Sequence, residues 1–311
     1  MATTITIAKT PEVIDEVFKI RHRVFSEEAK LLREDPSGRF MDRFDAFPTT
    51  TNLVVKKQGL VVGSLRLSID SAVGMPADEY FDFRPFLPKD ALPMHCGMFC
   101  VTEDYRSSKI TTGLMLMATY FGISHNVTHV VAPINPAIAK LLKRIGYEQV
   151  ADEFTEEHTN ARMMPLILDV KNLSDFFIHF VKENQLQDYI GEYEREFYDK
   201  GEYVIRAGDE GDQAFIIIEG TAEVRLPGND VLIDTLKQGD VFGELALLFH
   251  EPRTANIIAE SDLQVMALSK KSFERMFFQD PKKTLNLVQT LAKRNKQMLG
   301  KLQSLESKTS N

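Results

Sequence analysis

Cysteine is scarce in this chain: two among 311 residues, Cys96 and Cys100. A structural zinc site needs a second pair of ligands that is missing here, so no metal site is expected. On a strand their even spacing puts both on one face, and we read them as reduced, packed thiols of a cytosolic protein. Long apolar runs are also missing. Nothing approaches the ~20 apolar residues that span a bilayer, and the opening "MATTITIAKTPEVIDEVFKIRHRVF" has no continuous apolar core of a secretory signal. The expected location is cytoplasmic. Positive charge is not in excess: the net charge is −8, which argues against broad nucleic-acid binding through phosphate neutralisation. It leaves room for a local basic pocket holding one small anion. There is no low-complexity tract, no repeat at solenoid periods and no legible Ser-His-Asp or Cys-His triad.

What is present is the composition of a globular protein, 43% hydrophobic and 26% charged, in a chain long enough for two domains. "EVIDEVFKIRHRVF" has helical spacing at Val13, Val17, Ile20 and Val24. "NLVVKKQGLVVGSLRLSID" reads as two strands joined at Gln58-Gly59, and "MHCGMFCVT" as a further strand. "KITTGLMLMATYFGISHN" reads as a helix and "VTHVVAPI" as a strand. "NPAIAKLLKRIGYEQV" is a helix ended by Gly146, and "MMPLILDV" a last strand. This order implies an α/β layer with a mostly antiparallel or mixed sheet.

The pattern changes after Val170, where we place the domain boundary, giving 1–170 and 171–311. "LSDFFIHFVKENQLQDYIGEYEREF" reads as helical. From Asp199 to Leu268 short strands alternate with turns at Gly201, Gly208, Gly211, Gly220, Gly228 and Gly239. Their spacing of roughly 8–12 residues is that of a small barrel or jelly roll. A terminal helix is expected from Lys282 to about Ser304, after Asp280-Pro281. Its stripe of Leu285, Val288, Ala292, Leu299 and Leu302 could pair two chains as a homodimer or pack on its own roll.

Within the roll, "GDVFGELALLFHEPRTANIIA" combines Gly243, Glu244 and Arg253. A phosphate buried there needs a guanidinium and backbone N–H groups aimed at its oxygens, and Arg253 and the turn after Gly243 supply both. Glu244 is a poor neighbour for phosphate but a good acceptor for an adjacent sugar hydroxyl. The pair describes a compact ribose phosphate better than a nucleoside triphosphate. The same stretch resembles the phosphate-binding cassette of cyclic-nucleotide-binding domains in catabolite activators, cyclic-nucleotide-dependent kinases and gated channels. The resemblance covers about 172–303. It implies that Glu244 holds the ribose 2′-hydroxyl and Arg253 the cyclic phosphate, with Phe242, Gly243, Leu245, Ala246 and Ala255 lining the cassette. Thr254 stands where a hydroxyl can meet a purine amino group. The ligand implied is cAMP, with cGMP as the alternative. A degenerate roll that keeps its glycines for turns and binds nothing is the rival reading. The family's transcription factors add a helix-turn-helix that is not found here, so no DNA binding is expected.

In the first half, "MFCVTEDYRSSKITTGLMLMATYFGISHN" feeds a polar loop into a helix N-terminus, a place for a pyrophosphate or phosphopantetheine arm. With "NPAIAKLLKRIGY" behind it, the run resembles the GNAT acyltransferase superfamily over about 1–168. The resemblance implies an acyl-donor site at Phe99, Cys100, Val101, Arg106, Ser107, Ser108, Lys109, Ile110, Thr111, Thr112 and Asn135, taking acyl-CoA or acyl carrier protein. Two departures stand out. The donor loop of the family reads Q/R-x-x-G-x-G/A, whereas Arg106-Ser-Ser-Lys109-Ile-Thr111 has neither glycine, and Leu142 replaces the helix tyrosine that often serves as general acid.

"IRHRVF", "DRFD" and "VGSLRL" are similar to the autoinducer synthase and N-acyl amino acid synthase branch, with Arg21, Phe25, Asp42, Asp45 and Arg66 on matching positions. The branch's Glu-x-x-Arg-Phe is here His95-Cys-Gly-Met98-Phe99, so His95 stands in the glutamate position. The catalytic candidates are therefore His95, Arg66 and Asp45. A neutral imidazole can take a proton from an attacking amine, while N–H groups near Phe99–Val101 steady the oxyanion. Equally, His95 reads as a hydrogen-bonded histidine at a strand start, and Asp42, Asp45, Arg21 and Arg66 as a buried charge network.

The expected fold is thus an α/β GNAT domain followed by a mainly-β cyclic-nucleotide-binding roll with flanking helices. The expected function is a cyclic-nucleotide-regulated N-acyltransferase moving an acyl group from a thioester to an amine. Two rivals remain: a non-catalytic nucleotide sensor with a degenerate GNAT half, and a protein lysine acetyltransferase.

Overall fold

The structure, a computed structural model, describes residues 2–157, 159–172, 193–228 and 230–278 and scattered positions between 281 and 296. The chain divides into two compact units, Thr4–Gly191 and Glu192–Asn311 with Met1–Thr3. Most of the helix expected behind the 170/171 boundary falls in residues 173–192, outside the described residues.

The first unit runs β1 (Thr3–Ile7), α1 (Pro11–His22), β2 (Thr50–Lys57), β3 (Leu60–Ile69), β4 (Pro93–Val101), α2 (Ser108–Ser124), β5 (His129–Ile134), α3 (Pro136–Ile145), β6 (Glu148–Gln149), β7 (Phe154–Thr155) and β8 (Arg162–Asp169). The strand order is β1-β2-β3-β4-β5-β8-β6, with β7 on β8. The pair β4–β5 is parallel, while β2–β3, β3–β4, β5–β8 and β6–β8 are antiparallel, so the sheet is mixed. The helices start where their caps dictate. Thr10 accepts from the Val13 N–H ahead of Pro11, and Asn135 accepts from the Ala137 N–H ahead of Pro136. Gly146 ends α3 at φ +110°, a left-handed conformation that glycine adopts without penalty. After α1 the chain makes a π-helical turn, Arg23–Glu28.

One register shift governs the first unit. Ser64 pairs with Cys100 and Arg66 with Gly97, so Leu65 alone faces both Met98 and Phe99. This is a β-bulge, and Met98 sits in it at φ +49°. The extra residue inverts the alternation and corrects the expectation for the cysteines, because Cys96 and Cys100 lie on opposite faces. Cys100 packs with Ile20 of α1 and with Val24, while Cys96 faces the side of Tyr147, just beyond α3. Both are buried and free, and burial raises both thiols' pKa.

The second unit is a roll of two sheets. One has the order β14 (Val241–Phe242), β11 (Gln213–Glu219), β16 (Leu263–Ser269), β9 (Tyr193–Tyr198). The other has β10 (Tyr203–Ile205), β15 (Asn256–Ala259), β12 (Ala222–Arg225), β13 (Leu232–Leu236). Between them Ile205, Phe215, Ile217, Leu236, Phe242, Ile257 and Val265 form the core. The helices are α4 (Glu244–Phe249) and α5 (Lys270–Phe278). Tyr193–Phe197, expected to end a helix, belongs to β9. Arg195 and Glu196 are buried in that strand. Leu285, Val288 and Ala292 are helical, with the first two exposed, whereas Leu299 and Leu302 fall outside the described residues.

Candidate functional sites

In the first unit a polar face crosses β2, β3 and β4 where a buried sheet would ordinarily be apolar. Thr50 pairs with Ser68 and Ser68 with His95; Asn52 pairs with Arg66 and Arg66 with Gly97. Arg21 of α1 reaches this face fully buried, with Nη1 2.9 Å from both Asp45 oxygens and Nη2 2.5 Å from Asn52 Oδ1. Arg66 Nη1 donates to Asp42 Oδ1 at 2.6 Å and to Asp45 Oδ2 at 3.2 Å. Two guanidiniums and two carboxylates therefore alternate, and each buried charge has an opposite neighbour. Burial works to raise the Asp42 pKa, but the hydrogen bond and charge of Arg66 outweigh it, and Asp42 stays below the usual range. The arrangement fits the charge-network reading of Asp45 and Arg66, whose paired atoms are committed to one another.

His95 lies on the same face, 2% exposed. Its ring bends along β4 over Gly97, where a Cβ would meet Cε1 at 2.5 Å. Burial, and then the charge of Arg66, hold its pKa down to about 3 against the opposing pull of Asp78 and Asp42, so the imidazole is neutral. Parallel pairing with β5 stops at His95–Val131, beside the bulge. Sequence reasoning missed the cover over this end. The segment between β3 and β4 brings Tyr80, Phe81 and Phe83 against Val131 and Ile167. Arg84 staples that segment through Asp78 and Asp70. "EYFDFRPF" carries neither periodicity nor a family motif, and its run of aromatics was the one available signal.

The donor candidates are spread along β4 and the start of α2. Phe99 is half-buried, Cys100 and Val101 buried. The strand read in "MHCGMFCVT" ends at Val101, because the chain turns at Glu103–Tyr105. Ser107 caps α2, its Oγ accepting from the Ile110 N–H at 3.2 Å. Most of the expected polar loop is therefore helix: Ser108, Lys109, Ile110, Thr111 and Thr112 form the first turn, with Ile110 and Thr111 buried. Arg106 donates from Nε to the Val101 carbonyl at 3.0 Å and from Nη2 to Glu28 at 2.9 Å. Asn135 is exposed and engaged as the cap of α3.

In the second unit Gly243 turns the chain at φ +75° from β14 into α4, whose first residue Glu244 is buried. The helix ends at His250 in the left-handed region, and the chain returns past Arg253 into β15. Arg253 is tied at its backbone, donating to the Asp209 carbonyl and accepting from the Gly208 N–H, both at 2.8 Å. Its Nη1 donates to the Gly243 carbonyl at 2.6 Å and Nη2 to the Gln213 carbonyl at 2.7 Å. A guanidinium carries five N–H donors, so others remain for an anion. Burial lowers the Arg253 pKa against the pull of Asp212, Glu244 and Asp209. Phe242 and Ala246 are buried beside it, Leu245 and Thr254 are exposed, and Ala255 is half-buried. Gly211 and Gln213, which hold this arginine, lie outside the cassette, in the run of glycine turns before it.

Two protein families match the chain. Residues 16–169 match the family described as "N-acyl amino acid synthase FeeM", and residues 195–280 match "Cyclic nucleotide-binding domain". The chain is 38% identical over 106 residues to a cAMP-dependent protein kinase regulatory subunit of Yarrowia lipolytica, covering 31% of this chain and 28% of that protein. It is 41% identical over 98 residues to cGMP-dependent protein kinase 2 of Homo sapiens, covering 30% of this chain and 13% of that one. The chain thus spans well under a third of these relatives' lengths. A solved structure of FeeM, an N-acyl amino acid synthase from uncultured soil microbes, is 17% identical with a TM-score of 0.48, covering 55% of this chain and 93% of that one. No helix among the described residues is long and apolar enough to cross a membrane.

Proposed function

Because the chain joins a GNAT-like domain of the N-acyl amino acid synthase family to a cyclic nucleotide-binding domain, we propose that it is an N-acyltransferase regulated by a cyclic nucleotide. The donor is an acyl-CoA or acyl carrier protein thioester, and the acceptor is an amine. The observation that carries the reading is the splay after His95–Val131, where a bulged strand leaves β5 beside a buried polar face. A thioester laid there meets the N–H groups near Phe99–Val101, which steady the oxyanion, and holding both substrates in place supplies much of the rate. His95 manages the proton, and Arg66 and Asp45 position that face. The first turn of α2 and Arg106 take the donor's polar head, which requires Arg106 to leave Glu28.

The regulatory ligand is held by Arg253 at its phosphate and Glu244 at its ribose. Relatives named for cAMP and for cGMP both support the ligand class, and we take cAMP as the ligand with cGMP as the rival. Binding shifts the acyl-transfer rate only if the ligand has different affinities for two states of the chain. The test is acyl transfer followed by mass spectrometry of lipid extracts, with and without saturating cAMP or cGMP. An unchanged rate in both removes regulation.

A second reading has its own support. Arg106 is occupied by Glu28 and the donor segment has no glycine, which suits a non-catalytic sensor. Failure of every acyl-CoA and of acyl carrier protein to raise the melting temperature favours that reading. Acetylated protein lysines in place of lipid amides would favour a lysine acetyltransferase.

A further inference from the structure

Tyr80 comes to the polar face from the aromatic segment between β3 and β4. Its ring stacks near Phe154, and its hydroxyl lies 3.4 Å from His95 Nε2. The other ring nitrogen, Nδ1, is buried without a hydrogen-bond partner among the described residues. A neutral imidazole has one N–H and one lone pair, and an unmet polar atom in a native interior calls for an explanation. The ring can lie there only because residue 97 has no side chain. Hydrogen bonds of a catalytic site are commonly long before substrate arrives.

The surroundings decide what this pair can do with a proton. Arg66 of β3 faces His95 with a positive charge, while Asp42 and Asp78 from flanking turns pull weakly the other way. Burial keeps the imidazole from storing a proton as a cation. It can still pass one, taking a proton at Nδ1 while releasing another at Nε2. The group waiting at Nε2 is the Tyr80 hydroxyl, which burial keeps protonated, with Glu156, Glu79 and Asp42 reinforcing that state against Arg66.

We infer that Tyr80 and His95 form a neutral proton relay carrying the acceptor amine's proton to the departing thiol. This rests on the acyltransferase reading above and assigns Tyr80 the task of general acid. The neutral amine attacks the thioester carbonyl; the N–C bond forms and the π pair moves onto oxygen. On collapse the carbonyl re-forms and the C–S bond breaks, its electron pair leaving with sulfur. The amine proton goes to Nδ1, the proton on Nε2 goes to the Tyr80 oxygen, and the phenolic proton goes to sulfur. Every group ends neutral, and exchange with water restores the starting tautomer.

The test uses the full chain with dodecanoyl-coenzyme A and with the thiophenyl ester of dodecanoic acid, a mixture of amino acids as acceptor, and thiol release and amide formation as readouts. Tyr80→Phe keeps the ring and removes the hydroxyl. With the coenzyme A thioester the variant is expected to lose about 10²-fold in rate with the donor KM unchanged. With the aryl thioester, whose thiolate leaves without a proton, the two proteins should run at similar rates. Equal loss with both esters, or loss with neither, overturns the relay while leaving the acyltransferase reading intact. No transfer by the unaltered protein, with saturating cAMP or cGMP present and from the dodecanoyl carrier-protein thioester as well, overturns both. A second measurement needs no variant: the rate in H2O/D2O mixtures should curve, as several protons move together, and a straight line overturns the relay.

Discussion

A methyl carbon at Gly211 would lie 2.1 Å from Arg253 Nε, so the guanidinium occupies the volume that a side chain at residue 211 would need. Gly243 stands in the same relation to Nη1, at 2.8 Å. The arginine is placed less by ion pairs than by two missing side chains and two carbonyls.

Gly211→Ala should push the guanidinium off the Gly243 and Gln213 carbonyls. One charge-assisted hydrogen bond is worth about 1.5–3 kcal/mol, so cyclic-nucleotide affinity should fall about tenfold to a hundredfold. Calorimetric titration with cAMP and cGMP checks this. An alanine variant that binds as tightly as the parent would show that the arginine has room the structure denies it.

Thr254 is exposed next to Arg253, and in the proposed nucleotide site its hydroxyl meets a purine amino group. Thr254→Ala should weaken cGMP relative to cAMP. Competition between the two nucleotides measures the ratio directly, and an unchanged ratio removes Thr254 from the choice.

His95 makes stability depend on pH in a definite direction. Its folded pKa, about 3, lies below the ordinary value of 6.5, so the unfolded chain takes up the proton first. The contribution is complete above pH 6.5 and is lost as pH falls toward 3. Between pH 7 and pH 5 the cost is about 2 kcal/mol. Denaturant unfolding of the parent and of His95→Gln across that range should show the parent losing more. Parallel curves would mean that His95 is not buried neutral.

Asp42 acts in a different window. Its folded pKa is lowered from the ordinary value of 3.8, so its contribution is present above that value and fades only in stronger acid, below the pH 7 to 5 span in which His95 is followed. Asp45→Asn leaves Arg21 and Arg66 with a buried charge short and should cost about 3–5 kcal/mol. Replacing Arg21 and Asp45 together with apolar residues of similar size should cost less than Asp45→Asn alone. Chemical denaturation of both variants tests the order.

The proposed cyclic-nucleotide site is legible in the sequence because its residues are contiguous: Gly243, Glu244 and Arg253 fall within one short stretch, where a local motif can be read directly. The helices of the first half are legible because Thr10, Pro11, Asn135, Pro136 and Gly146 mark their ends. Tyr80 is not, since nothing between Ser71 and Leu92 has a period and its contact with His95 exists only after a long segment folds back. β9 hides because Glu194, Arg195 and Glu196 look like a solvated face, and only tertiary packing buries the last two. The faces of Cys96 and Cys100 were misread because alternation was counted straight through Met98 and Phe99.

That bulge has a bearing on how relatives of this chain are to be read. Parity along β4 holds from Pro93 to Gly97 and again from Cys100 onward, but with opposite sign on the two stretches. A relative of the same length that pairs straight through would turn the residue in the Cys100 position away from α1, whereas one shorter by a residue and unbulged would keep it opposite Ser64 on the α1 side. Identity counted over a gapless alignment would then overstate kinship of the site, and a one-residue gap would understate it. Whether the strand bulges after Gly97, more than the letters around it, tells whether a related chain builds the same surface.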